Sequence, residues 1–321
     1  MSYSAILGNA TAIERLRGLV ARGRLGHAYL LAGPSGVGKR MAAVAFAKSL
    51  LCDAGGADSC PDCARIDAGR HPSVKLLARI EDKREITIDQ VRELVRELTF
   101  RAVDAKPRLV LVDEAERLNE EAQNCLLKTL EEPPDRCVIV LATASPALLL
   151  TTIVSRCQTI LFMPLAEADV VRFGRERLSL DEPMARLIAR LAAGSPGRAA
   201  QLAPDAKEIK ARAAELLGSV AAGDLNAIVE RISKIRETEQ ARERAREQLA
   251  LLAFALREIM RAKATGTPPD PGLAPPGLAE RLAALEVESL ADRIQSVLDH
   301  SHMIDMNANV PLTVEDAMLR I

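Results

Sequence analysis

Ala28-Tyr-Leu-Leu-Ala-Gly-Pro-Ser-Gly-Val-Gly-Lys-Arg40 is the stretch on which the fold turns. Its first five residues are an uninterrupted apolar run, its middle is a glycine-rich turn, and helix formers follow from Met41 to Leu51. A buried strand feeding a glycine turn and then a helix is the setting of a phosphate-binding loop. In Gly33-Pro-Ser-Gly-Val-Gly-Lys39 the glycines let backbone amides turn inward, the helix amino terminus adds its positive end, and Lys39 reaches outer phosphates. Position 40 departs from that pattern. A Ser or Thr hydroxyl there ordinarily holds magnesium; Arg40 removes that ligand and puts a cation in its place, so hydrolysis should suffer more than binding. Two readings stand: a loop that binds ATP but hydrolyses it poorly, and a relic that only shapes a strand-to-helix turn.

Outward from this stretch, apolar runs at Val74–Leu77, Arg108–Val112, Val138–Ala142 and Thr159–Phe162 alternate with amphipathic segments. That alternation predicts an α/β fold, a parallel sheet with helices on both faces. One helix is expected to be capped by Asp89, with Val91, Leu94, Val95 and Leu98 on its inner face. Another spans Asn119 to Glu132, with Ala122, Leu126 and Leu130 inward, and stops at Pro133-Pro134. After Pro164 the strand signals end. A small helical unit is expected to about Ala203, closed by Pro204, with longer helices beyond. Ala262 to Gly277 reads as a loop, and the charge-dense Arg236–Gln248 as a solvated helix face without a binding role. There is no internal repeat.

At 321 residues the chain is long for one core, and 48% hydrophobic against 27% charged residues makes wholesale disorder an unsuitable description. Forty-three basic residues nearly cancel forty-four acidic ones, so no global cationic field draws the chain to nucleic acid, and any DNA contact must be local or shared. With 2% aromatic residues and no Trp, stacking platforms for single-stranded bases are essentially excluded. Met1–Ala10 lacks a basic stretch followed by an apolar core, and no run of about 18 apolar residues occurs, so a cytoplasmic protein without a membrane segment is expected.

Further chemistry lies downstream. Leu109–Val112 runs into Asp113-Glu114, a strand ending in two carboxylates, suited to orienting magnesium through Asp113 and an attacking water through Glu114. Thr143 closes the next apolar run, as a γ-phosphate sensor or as a turn former. In Ser155-Arg-Cys157, Arg156 is placed to serve as an arginine finger or as an ordinary surface ion-pair partner. Gly194-Ser-Pro-Gly-Arg198 opens a helix from which Arg198 could reach back to phosphates, or is a helix start with an incidental arginine. Cys52, Cys60 and Cys63, spaced C-x7-C-x2-C, read either as a zinc site, which wants a fourth thiolate or imidazole, or as a loop that has lost its metal. The next expected position holds Ile66; Asp62, Asp67 and His71 are nearby substitutes. Cys125, Cys137 and Cys157 are scattered through apolar surroundings.

Taken together, Leu126-Leu-Lys-Thr-Leu-Glu-Glu-Pro-Pro134 between Asp113-Glu114 and Ser155-Arg-Cys157, with Ile6-Leu-Gly8 and Gly194–Arg198, resemble the clamp-loader branch of the AAA+ ATPases over about the first 205 residues. The remainder matches only through its helical character and Asn307-Ala-Asn309. Within the branch, Lys39-Arg40, Ile86-Thr-Ile-Asp-Gln-Val-Arg92, His71-Pro72 and the chain length are more similar to the delta-prime type than to the motor (gamma/tau) type. The resemblance implies a five-stranded nucleotide-binding domain at 1–164, a helical lid at 165–205 and a helical collar at 206–321. It implies motor and delta subunits as partners through collar and AAA+ faces, with a sliding clamp and primed DNA in the assembled complex. It gives Arg156 an action in trans on a neighbour's ATP. Lys39, Asp113, Thr143 and Arg198 carry over by position, their catalytic value discounted because of Arg40. Gly33, Pro34, Ser35, Gly36, Val37, Gly38, Lys39, Arg40, Thr143 and Arg198 are the expected nucleotide-binding positions, and the family's fourth zinc cysteine falls where Ile66 stands. Own ATPase activity is expected to be weak or absent, with no polymerase activity. An ATP-hydrolysing motor is the alternative, and a free-standing small-molecule kinase a third.

Overall fold

In a computed structural model of the chain, Ala28–Ala32 forms β1, buried at every residue. The structure describes residues 2–23, 25–52, 55–56, 60–80, 83, 85–99, 107–222, 238–269, 274–306 and 308–320. The other strands are β2 (Val74–Leu77), β3 (Arg108–Val112), β4 (Cys137–Thr143) and β5 (Gln158–Leu161). All pair in parallel, in the order β2-β3-β4-β1-β5, with Leu30 opposite Leu141 on one side and Thr159 on the other. The expected runs for β1, β2 and β3 match. β4 is one residue longer at each end, and β5 starts and ends one residue earlier, because Phe162 continues the ladder only through its N–H to the Ala32 carbonyl at 2.7 Å.

Period-two alternation along the strands divides the interior into two cores. Tyr29, Leu31, Leu109, Leu111, Val138 and Val140 face α1 (Ala10–Ala21) and α2 (Lys39–Leu51), where Leu16 and Phe46 are fully buried. Leu30, Val110, Val112, Ile139 and Leu141 face the helices that carry Val91, Leu98, Leu126, Leu130 and Ile153. A short helix α3 (Pro61–Asp67) follows α2, and α4 (Ile88–Thr99) follows β2. Asp89 does not cap α4: it lies in the first turn, and Thr87 at the entrance donates its N–H to Gln90 Oε1 at 3.1 Å, half of a capping box. Asn119 does cap α5 (Glu120–Glu131), accepting from the Ala122 N–H at 2.9 Å. The helix α6 (Thr151–Arg156) leads into β5.

The chain forms two compact units, Met1–Val170 with Gly194–Arg198, and Val171–Ala193 with Ala199–Ile321. Beyond β5 the described residues contain helices and no strand: α7 (Glu167–Arg177), α8 (Glu182–Ala192), α9 (Pro196–Leu202), α10 (Ala206–Ala222), α11 (Glu239–Thr265), α12 (Pro276–Leu282), α13 (Val287–Asp305) and α14 (Val310–Leu319). In the second unit, Leu249, Leu252 and Leu256 of α11 and Leu290 and Val297 of α13 are buried. The expected loop at Ala262–Gly277 is shorter. α11 continues to Thr265, where Gly266 takes the left-handed conformation that ends helices, and α12 already includes Gly277. Residues 270–273 of that loop, Arg236 and Asn307 lie outside the described residues. Asn309 caps α14 by accepting from the Leu312 N–H.

The solvated face expected for Arg236–Gln248 holds at Glu243 and Arg244, which are exposed, and is corrected at Arg242 and Glu247. Arg242 donates to the carbonyls of Ile304 and Ala308 at 3.1 and 3.3 Å, and Glu247 is buried. Sequence charge spacing cannot distinguish a solvated cation from one that caps a neighbouring helix end. Arg212 of α10 meets both carboxylate oxygens of Glu247, at 3.1 and 3.0 Å, while burial pushes the Glu247 carboxyl up and the attraction of Arg212 opposes this. Arg212→Leu should therefore cost about 2 to 3 kcal/mol by stranding a buried carboxylate, whereas the double change with Glu247→Leu should recover most of it. Urea denaturation of both variants decides the matter; equal losses would show that the pair, rather than the stranded charge, carries the energy.

Candidate nucleotide-binding site

Gly33 begins the loop where β1 lies between β4 and β5. Its N–H donates to the Thr143 carbonyl at 3.2 Å, and a Cβ on it would lie 2.0 Å from the Phe162 carbonyl oxygen. Gly36 and Gly38 have φ of 73° and 101°, and Gly38 precedes the first residue of α2. Lys39, on that first turn, is buried, with Nζ donating to the carbonyls of Gly33 and Pro34 at 2.6 and 2.7 Å. Burial lowers its pKa from the ordinary lysine value, and the negative charges of Glu116, Asp113 and Glu114 oppose the shift.

Arg40 Nη1 lies 3.2 Å from Asp113 Oδ2, so the side chains from positions 40 and 113 form an ion pair at the loop. Burial raises the Asp113 pKa, opposed chiefly by the Arg40 charge. The fold class ordinarily pairs such a loop with magnesium. These residues do not fit that ion: position 40 has no hydroxyl, and the carboxylate that would meet the metal already meets a guanidinium. Glu114 is exposed, in a left-handed conformation, with its carboxylate 3.5 Å from Arg79 Nε. Thr143 is fully buried, and its Oγ1 accepts from the Ser145 N–H at 3.1 Å.

Glu116 was not singled out by sequence reasoning. It follows β3 in a single 3-10 turn, accepts from the Ala144 N–H at 3.2 Å, and is the foremost carboxylate acting on Lys39. The only signal for it was a third acidic residue soon after Asp113-Glu114. Gly194–Arg198 is seated on the loop: the Gly197 N–H donates to the Gly36 carbonyl at 2.9 Å, and a Cβ on Gly197 would lie 2.8 Å from Gly36 Cα. Ser195 is buried there and accepts from the Arg198 N–H at 3.1 Å. The structure thus gathers the loop, Asp113, Thr143 and the Gly194–Arg198 backbone.

Arg156 is not among them. At the end of α6 its Nη2 lies 2.6 Å from Glu131 Oε1, its Nη1 donates to the Thr152 carbonyl at 3.0 Å, and its side chain is 37% exposed.

Cys52 ends α2 and Cys60 opens α3, where its sulfur accepts from the Cys63 N–H at 3.3 Å. The Cys52 and Cys60 sulfurs are 3.2 Å apart, and all three Sγ atoms lie within 4.8 Å of one another. Ile66 is buried in the apolar core. Of the substitutes, Asp67 is held by the buried Lys48 at 2.7 Å, His71 Nδ1 accepts from the Ser73 N–H, and Asp62 faces Arg65 at 3.3 Å. Burial pushes the Cys137 and Cys157 thiols up to about 11, which makes them poor metal ligands. No helix among the described residues is long and apolar enough to cross a membrane.

A family model described as DNA polymerase III, delta subunit, matches residues 8–166. The chain is 38% identical over 178 residues to DNA polymerase III subunit delta' of Bacillus subtilis strain 168, covering 54% of this chain and 52% of that one. It is 30% identical over 316 residues to subunit delta' of Escherichia coli strain K12, covering 96% and 92%. Against subunit tau of B. subtilis it is 31% identical over 198 residues, covering 60% and 35%. The match therefore spans about half the length of the B. subtilis delta' protein and nearly all of the E. coli one.

Proposed function

Because the chain belongs to the delta-prime family of DNA polymerase III subunits, with an AAA+ α/β unit and a helical carboxy-terminal region, we propose that it is the non-hydrolysing member of a clamp-loader complex and donates Arg156 to a neighbour's ATP. The complex joins motor (gamma/tau) and delta subunits and places a sliding clamp on primed DNA. In this reading residues 1–164 form the nucleotide-type domain, 165–205 a lid and 206–321 the collar that binds the partners.

One observation carries the proposal: the Arg40–Asp113 pair at 3.2 Å puts the chain's own cation on the carboxylate that hydrolysis would need for its metal. Lys39, Asp113, Glu114, Thr143 and Arg198 then serve to hold the loop, and at most a bound nucleotide, in shape. Arg156, exposed at the end of α6, brings a planar cation suited to charge developing on a transferred phosphoryl group. The test is ATP turnover by the reconstituted complex carrying Arg156→Ala or Lys39→Ala in this chain. An equal loss from both changes would mean that this chain itself binds or burns ATP functionally.

The same reading gives the thiol cluster a zinc ion held by Cys52, Cys60 and Cys63, with a fourth ligand from outside these three. It rests on three sulfurs within 4.8 Å of one another. Elemental analysis of the chain purified without chelator should find zinc in equimolar amount, and Cys63→Ser should remove it. A metal-free wild-type chain, refolded with zinc and still metal-free, would sink this assignment.

A further inference from the structure

At a nucleotide loop a divalent cation has two tasks. It offsets the charge of the phosphates, and it ties them to the carboxylate at the end of the neighbouring strand. Here one side chain is built for both. Arg40 sits on the first turn of α2, immediately after Lys39, and its guanidinium holds Asp113 Oδ2 through Nη1 at 3.2 Å. A guanidinium presents five N–H donors in a planar fork, so a single bond to Asp113 leaves others to meet phosphate oxygens. The side chain is 57% exposed, and an anion at the loop can reach it. A dication placed on Asp113 would instead lie against that fixed positive charge, and position 40 offers it no oxygen.

We propose that the loop takes the diphosphate or triphosphate tail of a nucleotide without a divalent cation, Arg40 standing where the metal would. This rests on reading Gly33–Arg40 as a nucleotide loop, and not on the action of Arg156 in trans. The three carboxylates Asp113, Glu114 and Glu116 acting on Lys39 then have fixed counter-charges in Lys39 and Arg40. Without a metal to bridge the β- and γ-phosphate oxygens, the transferred phosphoryl group is not held in line for attack, so the bound nucleotide stays intact. On entry of the phosphates, Lys39 Nζ exchanges the carbonyls of Gly33 and Pro34 for phosphate oxygens.

The experiment is calorimetric titration of the full chain with ADP, with excess EDTA and with excess magnesium chloride. The expected affinities agree within about twofold, whereas a loop that needs the metal would lose about tenfold or more in EDTA. Arg40→Thr, which supplies the missing hydroxyl and removes the cation, should weaken binding in EDTA by about tenfold and make it magnesium-dependent. Thermal unfolding of that variant checks that it folds, and the wild-type comparison does not depend on it. A wild-type affinity that collapses in EDTA overturns the proposal, as does the absence of ADP binding in both buffers. Neither result touches the turnover assay with Arg156→Ala, so the two readings fail separately.

Discussion

If Arg156 acts in trans as proposed, replacing it by alanine should lower ATP hydrolysis at the one motor site it would serve by about a thousandfold, the lower end of what an arginine finger contributes. Sites elsewhere in the complex keep their own turnover, so steady-state rates will show the loss of one site's share and single-turnover hydrolysis the full effect. Arg156→Lys should rescue little, because a point charge on a flexible stem cannot reproduce the planar fork. Lys39→Ala should leave turnover nearly intact. The folded chain should barely notice the Arg156 change: the side chain is 37% exposed, and its ion pair with Glu131 contributes about 1 kcal/mol or less. Unchanged single-turnover hydrolysis with Arg156→Ala would reduce this arginine to an ordinary surface ion-pair partner.

Gly33→Ala should destabilise the sheet unit by about 3 kcal/mol or more and lower its melting temperature by about 6 to 12 °C. The added Cβ would meet the Phe162 carbonyl oxygen at 2.0 Å, a backbone atom at the end of β5 that cannot swing aside. Gly33 has a φ of 153°, which penalises any side chain as well. Gly23→Ala is the control. Its φ is 62°, but nothing lies within 4 Å of the added atom, so the cost should be the conformational strain alone, about 1 kcal/mol. Thermal unfolding of both variants without nucleotide measures the difference, and equal shifts would refute the steric argument. The expected result matters beyond stability. It would mean that the first glycine of the loop is demanded by closure of β1 against β5 whether or not a phosphate ever binds. At Gly36 the constraint comes from a different segment: a Cβ would come within 2.3 Å of Ser195 Oγ and 3.0 Å of the Arg198 backbone nitrogen.

The strands were legible because parallel strands buried on both faces must be continuous apolar runs, and Leu109–Val112 or Val138–Ala142 have no other plausible home. Helix ends were harder. Thr265 and Gly266 sit in a Pro- and Gly-rich stretch that reads as loop throughout, yet only the left-handed Gly266 marks where the helix stops. At the site, Lys39, Arg40 and Asp113 could be named from spacing, but not that positions 40 and 113 meet, since that contact depends on the order in which the strands lie side by side. Glu116 was missed for a related reason: a carboxylate in a 3-10 turn has no periodicity to announce it. The three cysteines came together as their spacing suggests, while the fourth ligand could not be read from Ile66, which packs with the core.

The pairing of Arg156 with Glu131 sets a condition on when this arginine can be lent. Within the isolated chain the guanidinium is tethered between the Glu131 carboxylate and the Thr152 carbonyl. If Arg156 acts in trans as proposed, a neighbour's phosphates would have to outcompete Glu131 to draw it across, against a pair that contributes about 1 kcal/mol or less. In the proposed action in trans, Glu131 would make the loan of the arginine favour a fully charged, correctly seated nucleotide next door, and would take the side chain back once that charge has gone.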